Sequence, residues 1–336
     1  MVCEDVRQAV AGSGLFARDR PVIAMLSGGR DSSCLLDVAV ALLGAASLSA
    51  LHVNYGLRAD ADGDEQHCLA LCEQLGVELH LVRAGPAPGG QSLDRAATDC
   101  LDAEISARED HPTGNLQAWA RDLRYAEAMR LAEQRDALFA TGHTADDQLE
   151  TILYRLAASP GRRALLGMPA SEGRLIRPLL GVTREQTSAY CQARALAWRD
   201  DESNQDERYA RARVRRRLIP ALRTVHPAAA ANVLRTASLL REETELLEGL
   251  VTAELAGRRS IELARLGELP SALARLVVVR LAEEAVGTYV PQAGERVQEI
   301  IALGRRGGRA ELHVGGQAGA VIHDGMLEMI KLAPRE

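Results

Sequence analysis

Lysine is nearly missing from this chain: of 40 basic residues, Lys331 is the only lysine and the rest are arginine. Aromatic residues are scarce too, at 3%, which leaves few platforms for stacking single-stranded bases. Basic charge is not in excess, with 46 acids giving a net charge of -6. No overall positive field draws nucleic acid in, so any RNA contact must come from local patches. The six cysteines, Cys3, Cys34, Cys68, Cys72, Cys100 and Cys191, form no C-x-x-C, and the closest pair stands one helical turn apart. In a chain of this length they read as reduced thiols, not as a disulfide framework or as zinc or iron–sulfur ligands. The longest apolar stretch, residues 34–51, is broken by Asp37 and Gly44, so no membrane span is expected. Met-Val-Cys-Glu-Asp at the N-terminus places acids where a secretory leader has an apolar core, and the expectation is a cytoplasmic protein.

What the chain does have is enough for a packed core and a charged surface: 47% apolar and 26% charged residues over 336 positions. At about 150 residues per domain this suggests two domains. Apolar runs at 21–26, 48–53, 77–82 and 137–141 alternate with helical patterns at 31–43, 62–75, 115–135 and 145–157. That alternation predicts an α/β fold, a parallel sheet flanked by helices, with 84–114 as a crossover rich in Gly, Pro and Asp. Near residue 216 the pattern becomes helical, through 226–257 and 270–303. Alternating segments at 309–315 and 319–331 then predict a closing β-hairpin. The expected division is 1–215 and 216–336, the second part mainly helical.

Ser27-Gly28-Gly29-Arg30-Asp31-Ser32 lies between the first strand and the first following helix. Glycines permit backbone conformations and close approach that a side chain forbids. The helix N-terminus offers unpaired N–H groups to an anion, and the serines add hydroxyls. This is an anion cradle suited to pyrophosphate, without the lysine of the common G-x-x-x-x-G-K-[ST] loop. Downstream, Asp146, Asp147 and Glu150 begin a helix just after His143 at a strand end. Acids in a first turn are what a helix dipole favours anyway. At the carboxyl edge of an open sheet, where ligands bind, they suit Mg²⁺ held with phosphate oxygens, or a cationic amine. Arg121 and Arg124 stand three apart on one helix. Arg208, Arg211, Arg213, Arg215, Arg216 and Arg217 form the most basic run, read here as an RNA backbone contact.

Ser-Gly-Gly-x-Asp-Ser is similar to the signature of the N-type ATP pyrophosphatases (the PP-loop superfamily). Within that group, His52-Val53-Asn54-Tyr55-Gly56-Leu57-Arg58, Ala120-Arg121-Asp122-Leu123-Arg124-Tyr125 and Thr141-Gly142-His143-Thr144-Ala145-Asp146-Asp147-Gln148-Leu149-Glu150-Thr151 resemble the tRNA(Ile)-lysidine synthetase family. Arg177-Pro178-Leu179-Leu180 and Asp201-Glu202-Ser203-Asn204 follow in that family's order. The resemblance covers residues 20 to about 220 and is loose beyond.

It implies that ATP adenylates the C2 oxygen of the wobble cytidine in an isoleucine tRNA with a CAU anticodon. The ε-amine of free lysine then displaces AMP, moving decoding from AUG to AUA. By resemblance Ser27, Gly28, Gly29, Arg30, Asp31 and Ser32, with His52 and His143, hold ATP. Asp31 and Asp147 take Mg²⁺, and Asp31, Arg121, Arg124, Asp147 and Glu150 are the catalytic set. Asp146, Asp147, Glu150, Arg177, Arg211 and Arg215 bind lysine or tRNA, and a homodimer is left open.

Two stretches depart from that family: Ala157-Ala158-Ser159-Pro160-Gly161 replaces Arg-Gly-Ser-Gly, and Arg211-Ala212 replaces Arg-Asn. His is more usual at the position of Tyr55. The competing readings are a relative that attaches a different amine, a tRNA thiolase and an inactive RNA-binding homologue.

Overall fold

The computed structural model describes residues 2–16, 19–56, 61–84, 116–158, 161–199 and 210–333. Leu57, Arg58, most of the 84–114 crossover, Ser159, Pro160, Asp201 to Asn204 and Arg208 lie outside them. The chain divides into two compact units, Met1–Arg235 and Thr236–Glu336.

The first unit opens with helix α1 (Val2–Gly12), strand β1 (Val22–Met25) and helix α2 (Arg30–Leu43). Strand β2 (Leu48–Asn54), helix α3 (Ala61–Leu75) and strand β3 (Glu78–Arg83) follow. Then come α4 (Leu116–Gln134), β4 (Leu138–Ala140) and α5 (Ala145–Ala158). Short α6 (Arg162–Leu165), β5 (Ser171–Glu172), β6 (Leu175–Ile176) and α7 (Arg184–Ala193) complete the sheet domain.

The six strands lie in the order β3-β2-β1-β4-β6-β5, all parallel except β5. Val22, Ala24, Leu48 and Ala50 face a core shared with α1, α2 and α7, whereas Ile23, Met25, Leu51 and Val53 face one shared with α4. Strands covered on both faces need no polar alternation, which is why they read as unbroken apolar runs. The apolar pattern does not mark α1, the β5–β6 hairpin or α7. Leading outward from β1 to β2 and β3, the chain returns to the other side of β1 as β4. That reversal opens a crevice at the carboxyl ends of β1 and β4, where open α/β sheets bind ligands.

After α7 the first unit holds α8 (Ala210–Arg213), a wide turn at Val214–Leu218, α9 (Ile219–Val225) and the start of α10 (Ala229–Leu255). Val214, Ile219, Leu222, Val233 and Leu234 pack on Leu149 and Leu153 of α5. The compact units therefore divide within α10, and not at residue 216 where composition changes.

In the second unit, β7 (Ser260–Glu262), α11 (Leu263–Glu268), α12 (Ser271–Val286) and α13 (Val297–Gly304) precede β8 (Ala310–Gly315), β9 (Ala318–His323) and β10 (Met326–Lys331). The expected hairpin is present and enlarged. Asp324 and Gly325, at φ 49° and 76°, turn β9 into β10, and β7 pairs with β10 to make a four-stranded antiparallel sheet. Two positive φ angles in succession suit the tight hairpin turn that Asp-Gly favours. Among the described residues no helix is long and apolar enough to cross a membrane.

Candidate active site

The turn after β1 has the form its glycines demand. Gly28 sits at φ +81°, and a Cβ there would press on His67 and Cys68 of α3. Gly29 is the N-cap of α2 and has no side chain with which to cap it, so first-turn N–H groups are left for an outside acceptor. The serines stitch the turn from within. Ser32 Oγ donates to the Gly29 carbonyl (2.8 Å) and accepts from the Ser27 amide (3.2 Å), with Ser27 Oγ 3.1 Å away. His52 is buried, with Nδ1 2.9 Å from the Leu26 carbonyl. It therefore braces the strand end that leads into the turn.

Asp31 and the acids after β4 share the crevice. Gly142 explains how closely: a Cβ on it would stand 3.0 Å from the carbonyl carbon of Asp31 and 3.1 Å from the Ser32 nitrogen. Only glycine lets the β4 loop lie against the first turn of α2. Asp147 caps its own helix, its Oδ2 accepting from the Thr144 amide (2.8 Å) and hydroxyl (2.7 Å). Burial opposes its charge, but Arg184, His143 and these hydrogen bonds together hold its carboxyl below the usual range. Gln148, from the same motif, is a strut whose amide spans Met168 N (2.6 Å) and O (2.9 Å).

The acids have guanidinium partners. Arg184, the first residue of α7, reaches Asp147 Oδ1 and Glu150 Oε1 (2.8 Å), and its Nε stands 4.0 Å from Asp31 Oδ2. Its backbone N–H donates to Asp146 Oδ2 (2.8 Å). Arg215 grips Glu150 with two hydrogen bonds, at 2.6 and 2.9 Å. Asp31 also accepts from Thr187 (2.5 Å) and from its neighbour Arg30 (3.0 Å). One cation thus already bridges the two residues expected to take Mg²⁺, so the donor set fits a positive charge. Among the described residues no three His, Cys, Asp or Glu side chains form a ready metal cage. A Mg²⁺ ion needs only one or two carboxylates when substrate phosphates supply the rest.

His143 is pushed down to about 4, first by burial and then by the charges of Arg177, Arg121 and Arg124, with Asp147 opposing. It is neutral near pH 7, its Nδ1 2.8 Å from Thr141 Oγ1. Arg121 and Arg124 lie over the Tyr125 ring, at 5.1 and 5.9 Å. Arg177 is 1% exposed and donates to the Pro169 carbonyl (2.8 Å). It therefore serves the 169–177 region as a buried strut, and not as an open contact for an outside substrate. The arginine run is likewise not one surface. Arg215 is turned onto Glu150, whereas Arg213, Arg216 and Arg217 are exposed. The run passes through a wide turn at Val214–Leu218, where the Ile219 amide bonds back five residues to Val214. Arg211 lies half-buried on α8.

Sequence reasoning missed Arg184, Thr187 and the packing role of Gly142. Arg184 and Thr187 come from a helix without a strong apolar pattern. A Thr-x-x-Gln capping box at Thr183 and Gln186 was the signal that could have placed it.

Residues 4–222 match the family model described as the PP-loop domain. The tRNA(Ile)-lysidine synthase of Pseudomonas aeruginosa is 40% identical over 240 residues, 69% of this chain and 49% of that protein. The protein of that name from Dehalococcoides mccartyi is 30% identical over 322 residues, 90% of this chain and 64% of its own length. The chain thus spans between about half and just under two thirds of these relatives. Among solved structures, the U34-tRNA thiolase NcsA from Methanococcus maripaludis aligns with TM-score 0.53 at 17% identity, over 71% of this chain and 80% of that one, a likeness of fold alone. With more than half of its length matched and the glycine turn and strand order in place, the chain belongs to the PP-loop domain family.

Proposed function

We propose that the chain is a tRNA(Ile)-lysidine synthetase. It uses ATP to activate the C2 oxygen of the wobble cytidine in a CAU-anticodon isoleucine tRNA and joins the ε-amine of free lysine to that carbon. The observation that carries the reading is the meeting of the Ser27–Ser32 turn with Asp147 and Glu150, packed together through Gly142 and bridged through Arg184. The names and identities of its relatives support the choice of reaction.

The cytidine oxygen attacks the α-phosphorus of ATP and pyrophosphate leaves. The lysine amine then attacks C2, and AMP departs with the oxygen it had captured. The α2 N-terminus and its turn hold the triphosphate. Arg121 and Arg124 offset charge as pyrophosphate leaves. Neutral His143 offers a hydrogen-bonding imidazole beside them, while Asp147 and Glu150 hold the lysine ammonium. Mg²⁺, when bound, neutralises phosphate charge, and Asp31 and Asp147 are the carboxylates that would hold it. Arg211, Arg216 and Arg217 contact the tRNA backbone, and the target base leaves its stack to enter the crevice. The reaction takes place in the cytoplasm.

The test is incubation with ATP, Mg²⁺, labelled lysine and a CAU isoleucine tRNA transcript. Lysine-dependent AMP release with label retained in the tRNA is expected. Absence of both overturns the proposal, and a panel of other amines in the same assay decides whether lysine is the amine used.

A further inference from the structure

Arg184 stands in an unfavourable place for its own helix. It is the first residue of α7, where the helix dipole opposes a cation, so helix stability does not account for it. Its surroundings do. The guanidinium reaches Asp147 and Glu150 and lies 4.0 Å from Asp31, with burial opposing its charge and the three carboxylates more than restoring it. The backbone beneath is fixed independently. Thr183 and Gln186 close a capping box, and the Arg184 N–H is bound to Asp146. The side chain can therefore leave by rotation about its own bonds while α7 stays in place, and at 23% exposure it has a path to solvent. Nearby charges are matched as they stand: Arg30 on Asp31, Arg215 on Glu150 and Arg223 at 3.8 Å from Asp146. A further cation entering this balanced cluster meets repulsion unless one guanidinium withdraws.

We propose that Arg184 is a built-in counter-cation, occupying the seat among Asp31, Asp147 and Glu150 that an incoming compact cation must take. That cation is a divalent metal ion or a primary ammonium, and the site loads by exchanging Arg184 for it. The displaced guanidinium remains beside the α2 turn, where a bound triphosphate offers it new anionic partners. The exchange rests on the reading of these acids as the cation site of the proposed function, and it makes Arg184 a positioning residue whose withdrawal couples ATP binding to cation binding. It also sets selectivity, because only a cation that binds Asp147 and one neighbouring carboxylate, Asp31 for a metal ion or Glu150 for an ammonium, better than a tethered guanidinium gains entry.

The test uses the whole chain without tRNA or turnover. Mn²⁺ is titrated by electron paramagnetic resonance, and methylammonium by calorimetry. R184Q should bind at least one of the two about tenfold more tightly than the native protein, and which one improves identifies the natural occupant. R184K, which keeps the charge, should stay near the native affinity, and R184Q/D147N should lose the gain. The proposal is overturned if R184Q binds neither cation more tightly, if R184K gains as much as R184Q, or if the gain survives Asp147→Asn. Should R184Q not fold, the Nε–Hε resonance of Arg184 in the native protein, assigned by its loss in R184K, must shift on adding Mg²⁺ or methylammonium. A resonance that ignores both sinks the exchange. A failed lysine-incorporation assay would leave these titrations standing, and failed titrations would leave that assay's answer untouched.

Discussion

The phosphate turn and the acid cluster occupy one crevice and are built in opposite ways. The turn is made of backbone: Gly28 at φ +81°, Gly29 as an uncapped helix start, and two serines bonded to atoms within six residues. The cluster is made of side chains whose partners come from far along the chain, Arg184 lying 34 residues from Glu150 and Arg215 lying 65. A backbone cradle holds its shape without its ligand. A cluster of ion pairs holds its shape by neutralising itself, and it must be rearranged to accept a ligand. The first device gives fixed phosphate geometry, and the second gives a site whose occupancy can be exchanged.

The comparison breaks most visibly where the two devices touch. Gly142→Ala places a Cβ at 3.0 to 3.1 Å from the backbone of Asp31 and Ser32, a contact only a shift of the α2 start or of the β4 loop can relieve. Relief takes a shift of a few tenths of an ångström, and since a displacement near 1 Å between reacting groups costs about 100-fold in rate, AMP release should fall by roughly tenfold and by no more than about 100-fold. A variant that keeps full turnover would show that the two halves need not be in register. Next in size is Glu150→Gln. Glu150 is 3% exposed and faces both Arg184 and Arg215. Neutralising it leaves two guanidiniums around an amide, with an expected loss of about 2–3 kcal/mol in urea unfolding. An unchanged midpoint would mean that both arginines relax into water at no cost.

Much of the fold was legible in the sequence because its signals are local. The alternation of buried runs with 3.6-residue patterns located β1 to β4 and α2 to α5, and Ser-Gly-Gly-x-Asp-Ser located the turn. What escaped depends on contacts between distant segments. Helix α7 carries a weak apolar stripe and is placed by Tyr190 and Cys191 in the core under α2, so Arg184 and Thr187 could not be seen approaching Asp31. Arg215 read as one of a row of RNA backbone contacts, since nothing in a run of arginines marks the residue that turns inward onto Glu150. The β9–β10 turn was the opposite case: Asp324-Gly325 is a local hairpin signal that went unread inside an alternating stretch.

An acid outside the cluster shows what a purely structural carboxylate looks like and so sharpens the contrast. Glu65 accepts from Asn54 (2.8 Å) and from Arg83 Nε (3.0 Å), tying α3 to the ends of β2 and β3 beside the phosphate turn. The Arg83 and Asn54 hydrogen bonds pull it down to about 2 against the effect of burial. Because the folded state releases this proton more readily than the unfolded chain, Glu65 adds stability above the ordinary carboxylate range. That contribution fades as pH falls from about 4.5 toward 2. The stability gap between the native protein and Glu65→Gln should therefore be constant near neutrality and narrow below about pH 4.5. A gap independent of pH would show that the glutamate contributes by packing alone.

The smallest effect separates the two kinds of arginine in the 211–217 run. Arg216 and Arg217 are exposed, and Arg215 is committed to Glu150 with two hydrogen bonds. A side chain that neutralises a phosphate releases about one counterion, so its removal lowers the slope of log affinity against log salt by about 1. Replacing Arg216 and Arg217 with alanine should flatten the slope for a tRNA transcript by about 2. Arg215→Ala should leave the slope nearly unchanged and lower the unfolding midpoint, because it strips Glu150 of a partner and frees no phosphate contact. If Arg215→Ala flattened the slope as well, the bond to Glu150 would have to open when RNA binds. The acid cluster would then respond to both of its ligands, and its self-neutralised state would be the resting form of a site that RNA as well as ATP unlocks.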